Sequence, residues 1–398
     1  MADKKISALN ALTGANVVAN DVFPLVDTSA TETKKITASE AKYYMLTNPP
    51  SNLVATSAEI NTGTANKLIT ASEFASSHYA DGLYIGVAYN KTTDTWTRRG
   101  KAIGQPVGAK LSSAYMPYLD RIRGCVIDTN IEVQYYLDDT NHYNREGVAP
   151  QVTGTDDAGT ANKLSDAGVF TEVESYYVGK YVHNTTDDTY AMITAKDSDD
   201  VLSIDADIMD TGETFEICTA VLNGDDGNVM IEYPKFYYRF EFDSDGFTLD
   251  FSEYQLPGFS LCPAHARAGR EIDKYYCGKY EGVLWDATTS GYITGRGTAQ
   301  HNATEDKIGS VAGYKPVTNM KRSEFETMCE NVASGFHSFD GAAYFMQLIL
   351  FWVTYAGGNS QSLISAGNTN FSSWSYANCI DDNGKSNALG MTDGGQAT

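Results

Sequence analysis

Positive charge is scarce in this chain: 29 lysines and arginines stand against 51 aspartates and glutamates, a formal net charge of −22 over 398 residues. Phosphate binding needs clustered Lys and Arg, so no nucleic-acid partner is expected. Long apolar runs are also missing. The longest, Ala342 to Val353, contains Gln347 and is too short to span a bilayer, and the opening Met1-Ala2-Asp3-Lys4-Lys5-Ile6 lacks the apolar stretch of a signal peptide. The expectation is a protein made and folded in the cytosol, with no membrane insertion. Cysteine is sparse: Cys125, Cys218, Cys262, Cys277, Cys329 and Cys379 are scattered, with no CxxC and no Cys/His cluster. That spacing argues against a zinc site and suits a reducing compartment. The six histidines have no catalytic spacing, and Gly-x-Ser-x-Gly, phosphate-loop and His-Glu-x-x-His signatures do not occur. His337 reads as a packed or capping residue rather than a base. No catalytic residue, metal ligand or cofactor is assigned, and the chain is expected not to be an enzyme.

What is abundant points to β structure. The chain has 26 Tyr and 35 Gly, with heavy use of Asn, Thr and Ser, a mixture that favours strands, turns and polar contact surfaces over helical cores. With 42% apolar residues most of it should fold. The fold class expected is α+β, β-dominated. Much of the negative charge is local: Asp187 to Asp226 holds twelve acids against one base, Lys196. The plain reading is a solvated face on a small β unit. The alternative is a divalent-cation site, although no EF-hand spacing with its terminal Glu is present.

Short segments repeat. Lys34-Lys35-Ile36-Thr37-Ala38-Ser39-Glu40 is echoed by Lys67-Leu68-Ile69-Thr70-Ala71-Ser72-Glu73, and Gly63-Thr64-Ala65-Asn66-Lys67-Leu68 recurs verbatim as Gly159-Thr160-Ala161-Asn162-Lys163-Leu164. Phe74 then aligns with Phe170, and Asn90-Lys91-Thr92-Thr93-Asp94-Thr95-Trp96 with Asn184-Thr185-Thr186-Asp187-Asp188-Thr189-Tyr190. An internal duplication of about 63–97 into 159–191 is the economical account. Thr37 or Thr70 can cap a helical turn, with Glu40 or Glu73 completing a capping box. The Asn/Thr/Asp cluster predicts a hairpin turn between aromatic strands. A unit this small is expected to leave Leu68, Phe74 and Phe170 exposed and to pack against copies of itself on neighbouring chains.

Farther on, Ile122 to Ile127 and Val133 to Leu137 predict paired strands around an Asp/Asn turn. Gly227 to Glu241 predicts a strand, a break at Pro234 and an alternating aromatic strand. Two helices are expected. Ser323 to Val332 carries Phe325, Met328, Cys329 and Val332 on one face, ending at Gly335. About Asp340 to Ala356 has Asp340 as N-cap, is apolar nearly all round and stops at Gly357-Gly358, which predicts burial on every side.

Two resemblances attach to these residues. Lys5-Ile6-Ser7-Ala8-Leu9, Asp21-Val22-Phe23-Pro24-Leu25-Val26-Asp27 and Thr33-Lys34-Lys35-Ile36-Thr37 resemble the opening of bacteriophage fibre proteins, in which a Pro-containing strand leads to a Thr-Lys-Lys-Ile-Thr turn. The Gly-Thr-Ala-Asn-Lys-Leu units are similar to shaft linkers of trimeric phage fibres. This likeness implies attachment to other virion proteins through the N-terminus and a homotrimer. The Tyr233-Pro234-Lys235-Phe236-Tyr237-Tyr238 strand, Gly278-Lys279-Tyr280-Glu281-Gly282, Ser310-Val311-Ala312-Gly313, Gly335-Phe336-His337 and Asn359-Ser360-Gln361 together resemble a C-type-lectin-like (formylglycine-generating-enzyme-like) receptor-binding module. Phe336 stands where that pattern usually has Trp, and Thr354-Tyr355-Ala356 replaces a usual acidic position. The family normally continues past the point reached at Thr398, so a trimmed fold or a fragment is expected. The enzyme's cysteine pair and metal have no counterpart residue by residue.

The organisation these resemblances imply is a virion-anchoring segment (1–48), a shaft repeat (49–80), a first β part of the lectin-like region (81–152), a duplicated acidic β insertion (153–222) and the lectin-like domain (223–398). The function implied is a tail fibre, located in the virion, that binds a host cell-surface glycan or protein. The alternatives are a head or collar fibre and a capsule depolymerase, which would need two carboxylates placed across a sugar. Receptor contacts are expected at Asn359, Gln361, Trp374, Tyr376 and Asn378, where aromatic faces and amides recur.

Overall fold

The computed structural model describes residues 22–26, 33–37, 82–294, 301–318 and 320–364. The architecture is α+β and β-dominated, with four α-helices among the described residues. Near the N-terminus β1 (Val22–Val26) and β2 (Thr33–Thr37) pair as an antiparallel hairpin. The Thr-Lys-Lys-Ile-Thr segment is therefore a strand rather than a turn, and Thr37 is its last residue. Glu40, Thr70 and Glu73 lie outside the described residues.

Two sheets are assembled from segments far apart in sequence. A hairpin of β3 (Ile85–Asn90) and β4 (Thr95–Gly100) is followed by β5 (Arg123–Ile127) and β6 (Val133–Tyr136). The acidic region then supplies β7 (Thr153–Thr155), β8 (Lys163–Ser165), helix α1 (Glu174–Tyr177), β9 (Tyr181–Asn184), β10 (Thr189–Lys196), β11 (Val201–Ile204) and β12 (Thr214–Ile217). These six strands form one sheet of order β7-β12-β9-β10-β11-β8, joined by no other strand among the described residues. After it come β13 (Asn228–Pro234), β14 (Tyr237–Phe242), β15 (Gly246–Ser252) and β16 (Ser260–Leu261). Here β13 joins β5, and β14, β15 and β16 join the β3–β4 hairpin in a five-stranded sheet of order β16-β14-β15-β3-β4, so both sheets bridge the intervening acidic region. A small hairpin, β17 (Ala266–Arg267) with β18 (Arg270–Glu271), precedes β19 (Lys274–Gly278), which completes a four-stranded sheet β19-β13-β5-β6. Finally β20 (Gly282–Asp286), β21 (Gly291–Ile293) and β22 (Lys307–Ser310) form a three-stranded sheet. Helices α2 (Arg322–Glu330), α3 (Gly341–Tyr355) and α4 (Ser360–Leu363) close the described chain.

The predicted Asn/Thr/Asp turn occurs twice. Asn90 Oδ1 accepts from the amides of Thr92 and Thr93, and Asn184 Oδ1 accepts from those of Thr186 and Asp187. In each turn an aspartate, Asp94 or Asp188, takes up the left-handed conformation, with φ of 51° and 55°. The side-chain amide substitutes for backbone partners, and the short carboxylate residue tolerates a positive φ. The hairpin is therefore common to both copies, though each sits in a different sheet.

The second copy does not need the copies of itself on neighbouring chains that were expected to cover its apolar face; strands outside the repeat cover it. Phe170 is fully buried in a core with Leu164, Tyr177, Val182, Ile193 and Phe215, all within the acidic region. Six strands and a short helix give enough layers to enclose that cluster, so Phe170 needs no neighbouring chain. Leu68 and Phe74 lie outside the described residues.

The largest core gathers under α3, where Met346, Ile349 and Val353 pack with Val87, Leu249 and Phe236 of the five-stranded sheet and its flank. Asp340 caps α3 as predicted, its Oδ1 accepting from the Ala343 amide at 2.9 Å, and Ala356 ends it in the left-handed region. Burial on every side does not hold. Tyr344 is 61% exposed, and Leu348, Phe351 and Tyr355 on the same face are only partly buried. The helix lies on the sheet instead of inside it, so its apolar composition overstates its enclosure. Helix α2 buries Met328 and Cys329 against Leu284 and Ile308, with Phe325 packed alongside. It ends at Glu330, capped by Asn331; Gly335, expected to end it, lies farther on in the connecting loop.

Candidate functional site

A cleft of about 720 Å³ opens on the four-stranded sheet beside its edge strand β19. Ile127, Met230, Tyr276 and Gly278 contribute to its floor, the β17–β18 hairpin supplies one wall with Arg267 and Arg270, and Gly335 to Phe339 supplies the other. A second hollow of about 560 Å³ continues it toward Gly282, Ser310 and Phe325, sharing Met230, Gly278, Phe336 and Phe339. A smaller cavity of about 230 Å³ lies elsewhere, beside Tyr84 and Tyr115.

The floor is fixed by a buried carboxylate. Glu232 on β13 is 4% exposed and accepts from the hydroxyls of Tyr136 (3.0 Å) and Tyr276 (2.9 Å) and from Lys274 Nζ (2.9 Å). These residues meet because register pairs Glu232 with Arg123 on one side and Tyr276 on the other, and cross-strand partners share a face. The hydrogen bond to Glu232 raises the Lys274 pKa, and burial followed by the same carboxylate raises that of Tyr276. Behind the floor, Arg123 stacks on the Tyr136 ring at 3.8 Å and so braces one of the hydroxyls that hold Glu232.

The wall is tied to the start of α3. Arg267 pairs with Asp340, the same carboxylate that caps the helix, and its guanidinium lies 5.0 Å from the centre of the Tyr275 ring. Hydrogen bonding by Arg267 pulls the Asp340 pKa down to about 2, with the Ala343 amide adding to it. His337 is exposed at the opposite wall, 6.3 Å from Tyr275 between ring centroids, and its Nδ1 sits 2.8 Å from the Ser338 carbonyl. It is not packed in a core.

Charge in the cleft runs opposite to that of the chain. Of the cations that line it, Arg267 is paired with Asp340 and Lys274 with Glu232, while Glu271 is held by Lys235 at 2.6 Å, which leaves Arg270 as the uncompensated charge. Arg270 is exposed and has no ion-pair partner among the described residues.

The edge strand is half used. β13 and β19 are paired so that Lys279 N donates to Val229 O and Lys235 N to Asp273 O. Antiparallel pairs alternate between hydrogen-bonded and non-hydrogen-bonded positions, so Tyr275 and Cys277 bond to β13 while Tyr276 and Gly278 direct their N–H and C=O groups away from it. Those outward groups have no strand partner among the described residues.

The predicted contact residues fall elsewhere. Asn359 is exposed but is engaged as the N-cap of α4, accepting from the Ser362 amide at 3.2 Å, and Gln361 is exposed on that helix. Trp374, Tyr376 and Asn378 lie outside the described residues. Sequence reading missed Glu232, Tyr136, Tyr276 and Arg270, because only sheet register brings them together.

The acidic region shows how its carboxylates are used. Asp156, 1% exposed, accepts from the amides of Ala158, Gly159 and Ser165 and so folds the Gly-Thr-Ala-Asn-Lys-Leu repeat around itself. Asp197 takes Lys163 Nζ at 2.7 Å, and Glu216 and Asp188 flank His183 at 3.0 Å each. Among the described residues no three His, Cys, Asp or Glu side chains are grouped to hold a metal ion. The five described cysteines are free thiols, four of them buried.

No protein-family model, curated protein or solved structure matches this chain.

Proposed function

We propose that this chain is a structural fibre protein of a bacteriophage particle, most simply a tail fibre, whose region from 82 onward displays a C-type-lectin-like receptor-binding domain. The observation that carries this reading is the open, rigid cleft. On its floor Tyr276 and Lys274 are held by the buried Glu232, and a surface with its side chains fixed in advance loses little entropy on binding. The N-terminal segments that resemble fibre openings, and the hairpin repeated at Asn90 and Asn184, support the fibre part of the proposal.

In this reading residues 1–48 anchor the chain to other virion proteins, 49–80 act as a shaft, 153–222 are an insertion and 223–398 hold the lectin-like domain. A homotrimer rests on the resemblance of the N-terminal repeats alone, since Phe170 is satisfied within its own chain. A head or collar fibre differs from a tail fibre only in attachment point.

The test is direct. Gold-labelled antibody against this chain should decorate phage particles under the electron microscope, and purified full-length protein should block adsorption to host cells. A chain beginning near Gly82 should block adsorption yet fail to enter particles. Incorporation of that shortened chain would overturn the anchor assignment. Release of new reducing ends from host polysaccharide would overturn the binding role in favour of a depolymerase. Light scattering that gives a monomer mass at micromolar concentration would remove the trimer.

A further inference from the structure

We infer that the cleft takes an extended, acidic segment of a partner protein, which adds as a strand to the free edge of β19. This deepens the contact-surface reading above and rests on it for the cleft's exposure to a partner, but not on which particle carries the chain.

Three observations converge. The backbone N–H and C=O groups of Tyr276 and Gly278 face the cleft without a strand partner among the described residues, a ready template for a further strand. The space beside them is elongated, as the two hollows share Gly278 and run along the same edge. Five residues of strand offer about 17 Å of template, enough for a short extended peptide.

Side chains decide the occupant. Ile127, Met230, Phe336 and Phe339 give apolar hollows for alternate side chains of a strand. Arg270 stands unpaired at the end where β19 begins, in a chain whose net charge is −22. The guanidinium is free to hold a carboxylate of a partner at that end. A sugar chain's hydroxyls could meet single edge groups but not match their strand repeat, and the apolar hollows would be left unfilled.

The probe is a random dodecapeptide library displayed on messenger RNA and selected on the full-length chain. Recovered peptides should alternate apolar and polar residues and carry Asp or Glu at one end. Two substitutions of one residue isolate the edge. Tyr276→Ala removes the ring and keeps the outward N–H, whereas Tyr276→Pro removes both while sparing the hydrogen bonds to β13. Selected peptides should bind Tyr276→Pro and Arg270→Glu roughly tenfold more weakly than they bind Tyr276→Ala. Hydrogen exchange supplies a readout free of folding effects: the amides of Tyr276 and Gly278 should exchange fast in the free chain and slow in the complex. Equal affinity for the Ala and Pro variants, or no slowing on peptide addition, overturns strand addition. Protection of both amides before any peptide is added means the chain covers its own edge, which also overturns it. Binding of an acidic polysaccharide such as polygalacturonate, without amide protection, reassigns the cleft to glycans. In each of those outcomes, continued blocking of adsorption by the purified protein leaves the receptor-binding proposal standing, so the two failures are separable.

Discussion

Arg98 reaches across 255 positions of sequence to place its Nη1 2.6 Å from the carbonyl oxygen of Val353, in the last turn of α3. Its Nη2 donates to Thr354 O at 3.0 Å and Ala109 O at 2.8 Å, and both Nε and Nη2 reach Pro106 O at 3.2 Å. The residue is 8% exposed and is met by carbonyls rather than by a carboxylate. A cation at a helix C-terminus complements the aligned peptide dipoles, and the planar fork satisfies several orphan carbonyls at once.

Replacing Arg98 by Met should therefore cost about 3 kcal/mol, because buried carbonyls lose their donors and water cannot reach them easily. Arg98→Lys keeps the charge but offers one donor head in place of a fork, and should recover less than half of the loss. Urea unfolding of the three proteins measures this. A Met variant with an unchanged midpoint would mean that the carbonyls find other donors.

A second buried charge sits in the middle of the five-stranded sheet. Asp250, 0% exposed, accepts from Arg99 Nε at 2.9 Å and from Arg239 Nη2 at 2.7 Å. Gly86 lies opposite on β3, where a methyl group would come within 2.2 Å of Asp250 Oδ1 and 2.6 Å of Leu249 O. Asp250→Asn should destabilise by about 3 kcal/mol, near the lower end for a broken buried pair, since both arginines can partly reach water. Gly86→Ala should destabilise too, because the carboxylate and the strand behind it must shift. Chemical denaturation of both variants checks the pair.

Acid sensitivity follows from two buried histidines. His142 is 3% exposed and His265 0%, and burial drives the pKa of each down to about 4. Nearby cations add to this, Lys279 for His142 and Lys235 with Arg267 for His265; it is opposed by Asp138 at His142, and by the Ile272 backbone and then Asp273 at His265. The unfolded chain takes up protons near pH 6.5 and the folded chain does not until near pH 4, so the unfolded state binds more protons in between. Stability contributed by the two neutral rings is complete above about pH 6.5 and is lost as pH falls toward 4. Urea midpoints recorded from pH 7 to 4 should fall through that window, and His265→Leu should flatten the slope. A midpoint independent of pH there would contradict the burial of both rings.

What could be read from sequence was what local chemistry decides. The Asn/Thr/Asp turns, the break after Pro234, the Asp340 cap and the apolar face of α2 all depend on neighbours within a few residues. What could not be read depends on pairing at a distance. Glu232 meets Tyr136 and Tyr276 only through strand register, Arg98 meets Val353 only through tertiary packing, and Arg270 looks like any surface arginine in a sequence. Phe170 is covered because its repeat does not fold in isolation. Strands β11 and β12, which the repeat does not include, provide part of the cover.

Helix α3 gives the sharpest contrast between composition and position. Ile349 and Leu348 are neighbours of equal apolarity, yet Ile349 is fully buried in the main core and Leu348 is partly exposed on the face shared with Tyr344. Ile349→Asp would force a carboxylate among Val87, Leu249 and Phe236, costing several kcal/mol after relaxation, and should abolish soluble expression. Leu348→Asp can turn its charge toward water and loses only part of its apolar contact, about 1–2 kcal/mol. That variant should fold and melt a few degrees lower. In the acidic region, Asp187 is exposed, and repulsion from Glu213 raises its pKa. Asp187→Asn removes that repulsion and should leave the melt unchanged or slightly higher. Thermal melts of the three variants decide the matter. Equal damage from Leu348→Asp and Ile349→Asp would mean that the outer face of α3 is covered as tightly as the inner one, and an Asp187→Asn protein that melts markedly lower would give that carboxylate a partner in the fold.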